Sequence, residues 1–343
     1  MTRLLSSLAL LLGAASAMPL VARNESTCAL KGKPSGKVLM GYWENWDGSK
    51  NGVHPPFGWT PIQNPDIPAH GYNVMTAAFP IIRPDGTALW EDGMDRDVKV
   101  ATPAEMCEAK AAGATILMSI GGAAGSINLA SSAVADRFIE TIVPILKEYN
   151  FDGVDIDIEN GLTGTGNINE LSASQANLIR IIDGILAQMP DNFGLTMAPE
   201  TAYVTGGSVI YGSIWGAYLP IIKKYADNGR LWWLSMQYYN GEMYGCSGES
   251  YRAGFDGFVA QTDCLNAGLV IQGTTIKVPY DMQAPGLPAQ TGAAGSGYLA
   301  PAEVSRIWNH YAGALKGLMT WSINWDGSKG WTFGDNVKGL IGS

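Results

Sequence analysis

Phe151-Asp-Gly-Val-Asp-Ile-Asp-Ile-Glu159 is the stretch on which the fold turns. In a strand, successive side chains alternate between faces, so Asp155, Asp157 and Glu159 share one face while Val154, Ile156 and Ile158 take the other. Asp152 is out of phase and belongs to the strand's entry. Alternate residues lie about 6.6–7 Å apart, so three ionised carboxylates in one column repel, and at least one should hold a proton near neutral pH. That is the condition for a general acid, and Glu159, uppermost in the column, is the best placed donor. The pattern alone also allows an oxygen-rich site for a hard cation, or a structural or solvated acidic face.

Outward from this strand, short β-rich apolar runs recur at Val38–Trp43, Val74–Phe79, Thr115–Ile120, Phe193–Ala198, Leu231–Tyr239, Thr275–Tyr280 and Gly317–Ile323. Helical spacing of apolar residues separates most of them, at Val134–Tyr149, Gln175–Met189, Ile214–Ala226 and Glu303–Ala312. Eight strands alternating with helices predict a (β/α)8 TIM barrel over residues 37–343, a single α/β domain. An open doubly wound sheet is the rival. It is weakened by chemistry-bearing residues at the ends of both the first and the last runs, as a closed ring allows. Gln283–Gly297, rich in Ala, Gly and Pro, reads as a long loop. Its Gly295-Ser-Gly-Tyr-Leu-Ala300 continuation fits GxGxxA, but no strand precedes it as a dinucleotide site requires.

The 343 residues are 46% hydrophobic and carry a formal net charge of -9, which excludes a phosphate-neutralising surface and so a nucleic-acid partner. Residues 1–17 have the layout of a signal peptide, with a basic start, an apolar Leu4–Leu12 and Ala15-Ser-Ala17. The apolar run is too short to span a membrane, so the expectation is a secreted protein with an N-terminal tail over 18–36. The four cysteines then read as two disulfides, Cys246–Cys264 by proximity and Cys28–Cys107 by remainder. Asn24 heads the sole N-x-S/T sequon. With histidines only at positions 54, 70 and 310, and neither CxxC nor HExxH, no transition-metal site is expected.

Asp152-Gly-Val-Asp155-Ile-Asp157-Ile-Glu159 matches the DGxDxDxE signature of glycoside hydrolase family 18, and Ser119-Ile-Gly121-Gly122 resembles its SxGG element. Gly41-Tyr-Trp43, Met197-Ala-Pro-Glu200, Met236-Gln-Tyr-Tyr-Asn240 and Met319-Thr-Trp321 are family-like pieces in the expected order. The whole chain resembles the small secreted fungal endochitinases. The resemblance implies retaining, substrate-assisted hydrolysis of chitin or chitooligosaccharides through an oxazolinium ion. Glu159 would be the acid/base, Asp157 the partner of the acetamide N–H, Asp155 its support and Tyr239 the acetamide oxygen's donor. Trp321 would floor the sugar subsite, with Gln237, Asn240, Met197, Tyr42 and Trp43 as further substrate contacts. Asn240 stands where the family often has Asp. Trp46 and Trp325 also fall near rims, whereas Trp232 and Trp233 start a strand and suit packing. The SxGG glycines suit close backbone approach. No cofactor, metal, nucleic acid or membrane is implied, and a monomer is expected.

About 35 residues connect Tyr280 to Gly317, too few for the α+β insertion that deepens the cleft of some relatives, so an open cleft and endo-type cutting are expected. An endo-β-N-acetylglucosaminidase acting on N-glycans shares the signature. A chitin-binding lectin usually lacks the terminal Glu, which is present here as Glu159.

Overall fold

The structure, a computed structural model, describes residues 27–51 and 58–342. The leader segment 1–17 and the Asn24 sequon lie outside the described residues. Eight parallel strands form the sheet: β1 Val38–Glu44, β2 Val74–Ala78, β3 Thr115–Gly121, β4 Gly153–Asp157, β5 Gly194–Met197, β6 Trp233–Leu234, β7 Gly286–Pro288 and β8 Gly317–Trp321. Their order runs β7-β8-β1-β2-β3-β4-β5-β6. Parallel bridges from Leu234 to Gln283 and from Gln237 to Gly286 join the two outer strands, so the ring closes as the expected TIM barrel.

Alternation along the strands sorts the core into two shells. Val38, Met40 and Tyr42 of β1 face the barrel axis with Val74, Ala78 and Met319. Outside, Val154, Ile156 and Ile158 pack under helices α1 (Ser132–Glu148) and α2 (Ala173–Leu186) through Phe138, Ile142, Ile181 and Ile182. Burying each such side chain contributes roughly 1.5–3 kcal/mol, which is why β4 keeps its phase. Helix α2 starts on a reciprocal cap, Ser172 and Gln175 each accepting the other's backbone N–H.

One expected strand is corrected. Thr274–Ile276 pairs antiparallel with Leu269–Ile271 in a hairpin outside the barrel, and the seventh barrel strand is Gly286–Pro288. The β-branched run Thr274-Thr-Ile276 looks like a core strand by propensity, but Val270 and Thr275 are exposed on their two-stranded ribbon. Gly286-Leu-Pro288 has no β-branched residue and lies within the stretch read as a loop; it is a strand because β8 and the end of β6 flank it. The connection from β7 to β8 then holds the single helix Pro301–His310, and no α+β insertion is present there.

The N-terminal tail straps the bottom of the barrel. Cys28 is bonded to Cys107 and Cys246 to Cys264, the expected pairing. The Lys31 N–H donates to Asp152 at 2.6 Å, and the Lys316 ammonium donates to the Pro34 and Gly36 carbonyls at 2.6 and 2.7 Å. No helix among the described residues is long and apolar enough to cross a membrane.

Candidate active site

Strand β4 delivers its acids in the order alternation predicts. Asp155, fully buried, accepts from the Tyr42 hydroxyl at 2.7 Å, Ser119 Oγ at 3.0 Å and Thr196 Oγ1 at 2.6 Å, one hydroxyl from each of β1, β3 and β5. Above it, Asp157 Oδ1 accepts from Gln237 Nε2 at 2.9 Å, and the same nitrogen donates to Glu159 Oε1 at 3.1 Å. Gln237 therefore ties the two upper carboxyls together. Glu159 itself sits just past the strand, where the Tyr203 hydroxyl holds its carbonyl at 2.8 Å and Tyr218 pins the preceding Ile158 through both its N–H and its C=O.

These surroundings raise the acids' proton affinity. Burial pushes Asp155 upward, with the three hydroxyls pulling the other way. Asp157 is driven well above the usual carboxylate range, first by burial and then by the charges of Glu159 and Asp155. Burial also lifts Glu159, against the Gln237 hydrogen bond and with the help of the Glu200 charge. Tyr239, next to them, keeps its proton for the same reasons, burial foremost.

The acids open into a cleft of 680 Å³. Trp321 lines it, with Tyr42, Trp46 and Phe79 packed around the indole at centroid distances of 5.4, 6.1 and 6.1 Å. The SxGG glycines make the acid strand and this aromatic wall meet. At Gly121, with φ +123°, an added Cβ would fall 2.1 Å from the Asp157 carbonyl oxygen; at Gly122, with φ +81°, it would fall 2.6 Å from the Phe79 ring. The Gly122 N–H instead donates to that carbonyl at 2.7 Å. Any side chain here would push β4 and its carboxyls out of place. Among the described residues, no group of three or more His, Cys, Asp or Glu side chains is arranged to hold a metal ion.

Buried acids whose proton affinity is raised, opening beside aromatic side chains at one end of a barrel, suit acid-assisted bond cleavage, and residues 38–243 match the family Glycosyl hydrolases family 18. The chain belongs to that family. It is 79% identical to Endochitinase 4 of Metarhizium robertsii, over 94% of each chain, and 76% identical to Endochitinase 37 of Trichoderma harzianum, over 98% of this chain and all of that one. Among solved structures, a family GH18 chitinase from Chromobacterium violaceum superposes with a TM-score of 0.77 at 28% identity, covering 92% of this chain and 85% of that one.

In this family 18 hydrolase several expected site residues take other places. Trp43 is wholly buried on the outer shell, donating its indole N–H to the Thr60 carbonyl at 2.9 Å and meeting Trp59 edge-on. It cannot touch a sugar, because Tyr42 holds the inward phase. Met197 is likewise buried in the outer shell, since Thr196 faces Asp155. Tyr42 does face inward, but beneath the cleft, where it holds Asp155 and backs Trp321. Asn240 lines the cleft and its Oδ1 accepts from the Gly295 N–H at 2.8 Å. Asp152 is at the opposite end of the barrel, paired with the buried Lys110 at 2.7 Å. Trp46 lines the cleft, whereas Trp325 packs beside Gly292. The sequence reading singles out none of Thr196, Glu200, Tyr203 and Tyr218, which stand around the acids. Thr196 could have been found by alternation from Met197, and Glu200 by the Met197-Ala-Pro-Glu200 piece that ends on it.

Proposed function

We propose that this protein is a secreted endochitinase that cleaves β-1,4-linked N-acetylglucosamine with retention, using the substrate's own acetamide as nucleophile. The observation that carries the reading is the shared Gln237 amide nitrogen, 2.9 Å from Asp157 and 3.1 Å from Glu159. With two acids tied to one nitrogen beside Trp321, Glu159 at the cleft would protonate the leaving oxygen and the more deeply buried Asp157 would orient the acetamide.

The steps then follow. Glu159 gives its proton to the glycosidic oxygen as the C1–O bond breaks, and the acetamide oxygen closes on C1 to form the oxazolinium ion. Asp157 accepts the acetamide N–H and stabilises its growing positive charge, while the Tyr239 hydroxyl donates to the acetamide oxygen. Asp155, held by its three hydroxyls, fixes the height of Asp157 from below. Glu159, now a carboxylate, takes a proton from the water that opens the ring. Export is supported by the leader-like segment 1–17 and by the two disulfides.

The test is product analysis by NMR on long chitin oligomers, with an N-glycan run alongside. The β-anomer should appear first, internal bonds should be cut, and oligomers lacking N-acetyl at the cleavage subsite should stay intact. An α-anomer appearing first would overturn the mechanism; disaccharide released only from ends would overturn the endo mode; faster N-glycan cleavage would favour the glucosaminidase reading. Trp321→Ala should lower kcat/KM for oligomers roughly ten- to a hundredfold, mainly through KM, because the indole supplies floor area and not chemistry. An unchanged KM would remove Trp321 from the subsite.

A further inference from the structure

One more acid, Glu200, acts on Asp157 and Glu159 from outside the DGxDxDxE stretch. Strands β4 and β5 pair in register at Asp155 with Thr196 and Ile156 with Met197, and the Ala198 N–H continues the ladder by donating to the Ile156 carbonyl at 2.9 Å. Continued past the last paired residues, that register would bring Glu200 level with Glu159. On its other side Glu200 bridges in parallel to Gln237, the residue whose amide joins Asp157 and Glu159. Glu200 is half-buried, and among the described residues no salt bridge reaches it, Glu159 or Asp157. The cation lining the cleft among those residues, Arg96, extends into solvent with a 93% exposed side chain.

We infer that Glu200 is a positioning residue of the reaction, a negative charge near Glu159 that keeps the proton on Glu159 until the leaving oxygen takes it. Like charges held close to one another repel, and a proton held on Glu159 relieves that repulsion. The inference rests on Glu159 being the proton donor. Every group facing Glu159 agrees in sign or is neutral: Asp157 below it, Gln237 and Tyr239 from the segment after β6, Tyr203 and Glu200 from the segment after β5, and Asn160 beside it. The Glu200 charge pushes up the proton affinity of Glu159, Asp157, Tyr203 and Tyr239 alike, as a supplement to burial. The same charge would favour the oxazolinium cation formed next to it.

The experiment is the pH profile of kcat/KM on a chitin oligomer for wild type, Glu200→Gln, Glu200→Asp and Glu159→Gln. Removing the charge should move the basic limb about one pH unit lower, so that activity above the limb falls roughly tenfold. Glu200→Asp, which keeps the charge, should keep the limb near its wild-type position. An unmoved limb in a folded Glu200→Gln protein overturns the inference while leaving the donor reading intact, provided Glu159→Gln is inactive. Activity in Glu159→Gln overturns the donor reading itself. If Glu200→Gln does not fold, Glu200→Ala takes its place, and loss of fold in both variants makes Glu200 a structural residue and overturns the inference.

Discussion

Glu159→Gln should lower kcat on chitin oligomers by about a thousandfold or more, while oligosaccharide affinity stays close to that of the wild type. General acid catalysis alone accounts for roughly 10²–10⁴ in rate, and the retained amide has no proton of suitable acidity to give. The shape of the site should survive the change, because a glutamine oxygen at Oε1 can still accept from Gln237 Nε2, now at 3.1 Å from that atom. A loss carried by kcat with binding preserved is the pattern of an interaction made only in the transition state. Single-turnover rates and calorimetric binding of the same oligomer separate the two quantities. Turnover within tenfold of wild type would falsify the assignment of the donor.

The second large effect concerns stability and comes from the other end of the same motif. Asp152→Ala should destabilise the fold by about 3–5 kcal/mol, because it leaves a buried ammonium uncompensated. Lys110 has only 3% of its side chain exposed and stands 2.7 Å from Asp152, with the Asn150 carbonyl as its other partner at 2.9 Å. The same carboxylate also accepts the Ile116 and Lys31 N–H groups at 2.9 and 2.6 Å, so three donors lose their acceptor at once. Urea unfolding should show a lower midpoint with an unchanged slope, and the folded fraction should retain its turnover. Replacing both Asp152 and Lys110 by leucine and methionine should recover part of the loss, since the charge is gone but two N–H groups remain unpaired. A midpoint for Asp152→Ala equal to that of wild type would show that the pair contributes nothing.

How much of this could be read in the sequence depended on phase. The carboxylate column of β4 was legible because period two is strict, and its apolar partners Val154, Ile156 and Ile158 are strongly held by the outer shell. The same rule shows that Tyr42 and Trp43 cannot both face the cleft, yet a family resemblance supplies positions and not faces, so both were carried over. Met197 failed for the same reason. Strand β7 was illegible because its three residues have no strand propensity; only the flanking strands impose the conformation, while the β-branched Thr274-Thr-Ile276 forms a ribbon outside the barrel. Glu200 closes a family-like piece, but that piece does not say which acid it stands near. Its proximity to Glu159 is a fact of register between two strands, and one strand's sequence does not contain it.

The short β7–β8 connection has a consequence for how a long polymer would be handled. With one helix between those strands, no second lobe rises from that side of the cleft, and a chain lying on the aromatic floor is held from beneath and not enclosed. On the proposed endo mode such a chain would not need to be threaded by its tip, and on that side it would be free to leave after a bond is broken. Each scission is then a separate landing, and the number of cuts per unit time follows how often the polymer arrives. In a viscous suspension, thinning would run ahead of the appearance of small sugars.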